Sequence, residues 1–261
     1  MKKIFILSIN IIFFQMAQGQ NPKLDSANLK RMSNLILTNY QCYHDLHDLC
    51  KQIGHRLSGS PQAEQAVIWA KSVLEKTGCD KVFLQEVMVP HWVRGKEEAS
   101  IIFSNGKSTP LKISSLGNAV GTGETAMQAE IIQFDNIDDL KRTSPEKIKN
   151  KIVFFNYKFN QTNINTFESY GPCVYYRWGA PSEAAKLGAK AVIIRSVSSA
   201  YDNKPHTGSM RYDPKYPSIP AVAISNLDAD NLETQLKATK KIQVKLLTTC
   251  QMLPDVKSYN V

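Results

Sequence analysis

The chain has 261 residues, of which 43% are hydrophobic and 21% charged, with a mean hydropathy of −0.28. That composition excludes a disordered tail, a collagen-like fibre and a multi-span membrane protein, and the length fits one or two domains. Thirty-two Lys and Arg against 23 Asp and Glu give a net charge of +9; no Lys/Arg run exceeds two residues and none accompanies an aromatic stripe, so a nucleic-acid partner is not indicated.

The first nineteen residues read as a signal peptide. Lys2 and Lys3 precede an apolar run, Ile4 to Phe14, broken only by Ser8 and Asn10, and Ala17-Gln18-Gly19 supplies small residues for cleavage before Gln20. The run is short for a bilayer span and no Cys follows it for a lipid anchor, so the mature chain is expected to be secreted or periplasmic, with no membrane anchor. The cysteines, at 42, 50, 79, 173 and 250, are odd in number and form no C-x-x-C, so no disulfide framework is implied, with room left for one or two bridges.

Residues 24–53 have helical periodicity in one or two pieces. Leu46, Leu49, Cys50 and Ile53 recur at i, i+3, i+4 and i+7, which predicts one buried stripe, and Gly54 is placed to stop it. After the loop His55 to Gly59, Ser60 as N-cap and Pro61 in the first turn start a second helix, with Ala66, Val67, Ala70, Val73 and Leu74 as its inner face. Lys81 to Pro90 and Glu98 to Ser104 alternate as strands, the second closed by the Asn105-Gly106 turn. Leu116 to Gly123 reads as a flexible connecting loop. Beyond it, strands over 129–134, 151–157, 191–196, 219–225 and 242–247 alternate with helices over 183–187 and 228–238, the pattern of a small mixed α/β domain.

Chemistry is thinly represented. There is no G-x-S-x-G elbow, no P-loop, and the glycines of Gly117 to Gly123 do not fit a dinucleotide fingerprint. His44 and His47 stand at i, i+3 with Asp45 and Asp48 between and beside them, yet a zinc site needs three or four converging ligands and no others are indicated; they read as the wet side of a helix. Glu97-Glu98 reads as solvated charge at a strand edge. His55, His91 and His206 are isolated in loops, and Asn160-Gln161-Thr162 is an N-glycosylation sequon.

Four strings occur in order: Ile53-Gly54-His55-Arg56-Leu57-Ser58-Gly59-Ser60, Val89-Pro90-His91-Trp92-Val93-Arg94-Gly95, Pro205-His206-Thr207-Gly208, and Asp255-Val256-Lys257-Ser258-Tyr259-Asn260-Val261. Together they resemble the carboxypeptidase Q (plasma glutamate carboxypeptidase) family, co-catalytic zinc exopeptidases that carry a protease-associated (PA) domain. The resemblance implies an α/β fold: the incomplete N-terminal portion of a zinc-exopeptidase α/β domain with an inserted PA-like mixed α/β domain. It assigns 1–19 to the signal peptide, 20–115 to the opening helices and strands of the catalytic domain, 116–240 to the PA-like domain and 241–261 to strands returning to the catalytic domain.

The same resemblance implies two zinc ions in the intact enzyme, a peptide or dipeptide substrate, and leaves a homodimer open. Its zinc ligands, beginning with a His in an H-x-D string, have no counterpart here, so this chain is expected to bind no metal and to be inactive alone. No catalytic or metal residue is assigned. His206, Thr207 and Gly208 are named as a substrate-side loop. A secreted, non-catalytic PA-type binding module is the alternative. The apolar positions of the flanking arms (Val82, Leu84, Ile101, Phe103, Val244 and Leu246) are expected to await a larger sheet, leaving the arms protease-sensitive around a resistant core.

Overall fold

The computed structural model describes residues 22–239 and 241–261; the leader assigned to 1–19 lies outside them. The chain divides into two compact units, 1–55 and 56–261.

In the first unit, helix α1 (Pro22–Thr38) is followed by α2 (Gln41–Asp48), which runs into one π-helical turn, Leu49–Ile53. Gly54 ends the turn at φ +82°, a left-handed conformation that glycine adopts without strain. No residue of either helix is buried, and of the stripe expected to be buried Leu46 and Cys50 are exposed while Leu49 and Ile53 are half-buried. Helical spacing sets which face can be buried; it does not supply the surface that covers it.

The second unit begins with α3 (Pro61–Lys76). Its N-terminus forms as its sequence dictates, with the Ser60 hydroxyl accepting from the Ala63 N–H at 3.2 Å. None of its residues is buried either, and Ile68 is 62% exposed. Strand β1 (Gln85–Val93) pairs antiparallel with the last strand, β10 (Gln251–Asn260), in a two-stranded ribbon of its own. The register slips between Val89 and His91, around Pro90, which has no N–H to give to the ladder.

The rest of the unit is one eight-stranded mixed sheet in the order β3-β2-β9-β5-β6-β7-β8-β4. Its strands are β2 (Glu97–Ile102), β3 (Ser108–Leu111), β4 (Ile113–Ser115), β5 (Met127–Phe134), β6 (Ile152–Phe155), β7 (Ala191–Arg195), β8 (Ala221–Ile224) and β9 (Gln243–Thr248). Strands β5 to β8 run parallel, while β9 and β4 join them antiparallel. Strands β6 to β8 are buried at every position, as a parallel sheet covered on both faces requires. The period-2 alternation sends Val153, Phe155, Val192 and Ile194 to one face and Ile152, Phe154, Ala191 and Ile193 to the other. Four helices cover the first face: α4 (Ile137–Arg142), α5 (Pro145–Ile148), α6 (Thr166–Trp178) and α7 (Ala180–Lys186). Helix α8 (Asn226–Ala238) covers the second with Ala229 and Leu232.

Two expectations are corrected here, and one element was not anticipated. Ile101, Val244 and Leu246 do not wait for a larger sheet: they are fully buried, because β9 enters between β2 and β5 and draws β2 and β3 into the same layer. Leu116 to Gly123 is no open connector, since Leu116 and Ala119 are buried in the core. Helix α6 has no counterpart among the sequence-based elements; it carries Pro172 inside it and starts from an Asn165 cap.

Candidate functional site

A polar knot ties the ribbon to the eight-stranded sheet. Trp92, the one buried residue of β1, donates its indole N–H to the Ala119 carbonyl at 2.9 Å. The Arg94 guanidinium lies 5.0 Å from the Trp92 ring centre, a cation–π distance. Its Nη1 donates to Glu97 at 3.1 Å, to the Ser114 hydroxyl at 2.8 Å and to the Ser115 carbonyl at 2.8 Å, and Glu97 accepts from the Ser115 N–H at 2.6 Å. Glu97, expected as solvated edge charge, is only 14% exposed and sits inside this knot. Gly95, at φ +67°, lets the chain turn against Thr249 where a Cβ would collide with it.

The loop at 206–209 docks on the same segment. Thr207 donates its hydroxyl to the Ser115 carbonyl at 2.7 Å, the acceptor that Arg94 also uses. The Gly117 N–H donates to the Gly208 carbonyl at 2.8 Å, and the Met210 N–H to the Gly117 carbonyl at 2.9 Å, forming a parallel bridge between Gly117 and Ser209. The His206 N–H donates to the Ser196 hydroxyl, and its ring Nε2 stands 3.4 Å from Asp202.

Between these parts lies a cleft of about 360 Å³, lined among others by Leu57, Ser58, Trp92, Arg94, Thr207 and Gly208. Three of the four strings singled out in the sequence therefore meet here. The fourth pairs with β1, Val256 opposite Val89. Of the named loop, Thr207 and Gly208 line the cleft, while His206 turns to Asp202 instead. Sequence reasoning missed Arg94 and Glu97 as partners, although Arg94 belongs to the Trp92 string and Glu97 follows just after it. The cleft offers hydroxyls and a cation, which suit recognition.

A second polar group closes the carboxyl ends of the parallel strands, where open α/β sheets commonly bind ligands. Arg195 donates to Asn156 at 2.7 Å and pairs with Asp230, which also accepts from the Tyr201 hydroxyl at 2.8 Å. Burial pushes the Asp230 carboxyl up, but bonds from Arg195 and Tyr201 outweigh it and hold the group below the usual range. Glu233 is drawn down to about 2, first by its bond from Lys237 at 2.7 Å; burial opposes this and Lys158, at 3.0 Å, adds to it. These charges are mutually compensated.

His44 and His47 lie on exposed helix α2, where His47 stands 3.5 Å from Asp48. Among the described residues no three His, Cys, Asp or Glu side chains converge, so these residues do not fit a zinc pair. All five cysteines are free thiols. No helix of the described residues is long and apolar enough to cross a membrane.

The fold defines the class. A peptidase M28 precursor from Shewanella amazonensis superposes with a TM-score of 0.85 at 31% identity, over 92% of this chain and 53% of that one. A zinc aminopeptidase from Bacillus subtilis shares the fold at a TM-score of 0.57 and 18% identity, over 83% of this chain and 44% of its own. No family model matches. By sequence the chain is a relative of carboxypeptidase Q. It is 36% identical to the Xenopus laevis protein over 80% of this chain and 42% of that one. Against the Homo sapiens protein it is 35% identical over 84% and 44%, and against the Rattus norvegicus protein 32% identical over 92% and 50%. The chain spans about half the length of the curated relatives it matches.

Proposed function

We propose that this chain supplies the N-terminal portion of a secreted zinc metallo-exopeptidase of the carboxypeptidase Q kind, acting on peptides or dipeptides, and that alone it does not turn them over. One observation carries the reading. The eight-stranded sheet buries its apolar residues on both faces, whereas α3 and the β1–β10 ribbon bury only Trp92 and leave Ile68, Met88 and Met252 exposed. A two-stranded ribbon by itself is marginal in water, and α3, with no buried residue, adds no closed core to it. In this reading the ribbon and α3 are opening elements of the catalytic α/β domain, and the sheet is the PA-like insert, with bounds wider than the expected 116–240 because β2, β3, β4 and β9 lie in the same sheet. The zinc pair, with its Lewis-acid chemistry, is held by ligands from the remainder of that domain. Leader-directed export belongs to the same reading, as does a substrate-side role for Thr207 and Gly208 beside the ribbon.

The experiment is complementation. The chain with zinc and a dipeptide is expected to give no chelator-sensitive hydrolysis. Fused to the part of the Rattus norvegicus relative beyond the matched region, it is expected to hydrolyse the dipeptide until a chelator is added. Turnover by the chain alone overturns the inactivity. A fusion that folds and stays inert favours the stand-alone binding module.

A further inference from the structure

Two arginines are buried in the eight-stranded unit, and they are treated differently. Arg195 is matched by Asn156 and Asp230. Arg177, on α6 and 8% exposed, has no acidic partner among the described residues. Of its five N–H donors, one reaches a protein acceptor, Nη1 to the Tyr170 hydroxyl at a long 3.5 Å, and the buried Nε has none. A desolvated guanidinium without a counter-charge is unfavourable and is expected where a ligand completes it.

The surroundings are shaped for that ligand. Arg177 lines a cleft of about 360 Å³ together with Tyr170, Val174, Tyr175, Trp178 and Ser209. Tyr170 and Trp178 remain exposed although they are large and aromatic. The Gly208 backbone lies against the guanidinium so closely that a Cβ there would sit 2.5 Å from Nη1. A side chain at 208 would displace the cation, so the glycine and the arginine are one device. Ser209 also lines the cleft at Trp92 and Arg94, which puts the two recesses side by side.

We propose that Arg177 is a carboxylate-binding residue, and that the cleft takes the carboxyl end of a peptide, with the fork on the carboxylate and Tyr170 and Trp178 against the terminal side chain. A planar guanidinium matches a carboxylate with two parallel hydrogen bonds, and the aromatic walls favour an apolar group beside it. Peptide as the occupant rests on the exopeptidase reading; carboxylate binding rests on Arg177 alone.

Calorimetric titration of the full chain, without zinc, tests this with N-acetyl-Ala-Phe, its carboxamide, and acetate. The free acid is expected to bind at least about tenfold more tightly than the amide, the difference that hydrogen bonds to a charged group make. In Arg177→Gln the acid is expected to bind no better than the amide, while thermal unfolding without ligand is unchanged or raised, because an uncompensated charge has gone. Should that variant fail to fold, Arg177→Lys, which keeps the charge and loses the fork, is expected to lose most of the preference. Equal affinity for acid and amide in the parent chain, or an undiminished preference in either variant, overturns the carboxylate site. Acetate binding as tightly as the peptide overturns the assignment to a peptide end. Since hydrolysis is not measured, an inert fusion enzyme with intact acid preference would sink the exopeptidase reading alone.

Discussion

The eight-stranded sheet and the ribbon with α3 are built from similar residues and end in opposite states. In the sheet, β6 to β8 put apolar side chains on both faces and helices close over each. In the ribbon and α3, residues of the same kind stay exposed, and Trp92 alone is anchored. What separates them is the number of layers: a sheet needs cover on both faces, and only one of the two regions has it. Where covering layers are missing, the same apolar side chains stay in contact with solvent.

The largest effect that sharpens this contrast is a core truncation. Phe154→Ala removes a fully buried ring between β5 and β7 and is expected to cost about 3–5 kcal/mol in denaturant unfolding. Ile68→Ala on α3 is expected to change the same measurement by no more than about 0.5 kcal/mol. Comparable losses from the two would erase the distinction.

The knot between the regions comes next. Glu97→Gln takes the charge from the group that Arg94 and the Ser115 N–H share, and is expected to cost about 1–3 kcal/mol. Trp92→Phe, which loses the bond to Ala119 together with part of a buried ring and of its contact with Arg94, is expected to cost at least about 1 kcal/mol. If both are silent, the ribbon is not held to the sheet by these bonds.

Acid titration probes the sheet side alone. Glu233 is drawn down to about 2 from an ordinary 4.5, so the stability it contributes is complete above the ordinary value and is lost as pH falls through the lower one. The stability gap between the parent chain and Glu233→Gln is therefore expected to hold steady above about pH 5 and to close between about pH 4.5 and 2. A gap that does not vary with pH would remove the ion pairs with Lys158 and Lys237 from the account.

The smallest effect is a count. Burial pushes the Cys173 thiol up to about 11 and raises Cys250 as well, while Cys42, Cys50 and Cys79 are exposed. Alkylation near pH 8 is expected to add three groups quickly, by intact mass, and the last two only on unfolding. Fast labelling of Cys250 would mean that the seam beside Ala119, where its thiol donates at 3.3 Å, opens readily.

Local signals were legible in the amino-acid order: the Ser60 cap with Pro61 behind it, the Gly54 stop, the Asn105-Gly106 turn, and the apolar runs that became β6, β7 and β8. Each depends on a few neighbouring residues, and caps, turns and periodicity are decided at that range. The four strings also pointed to the carboxypeptidase Q relatives and to the loop holding Thr207 and Gly208. Only the tertiary structure decided that β9 slots between β2 and β5, that residues 85–93 find residues 251–260, that Glu97 meets Arg94 and Ser115, and that Arg177 is buried without an acid. Such pairings join residues far apart in the chain or depend on which face a neighbour covers. Their energy comes from burial and charge compensation that exist only once the layers have closed.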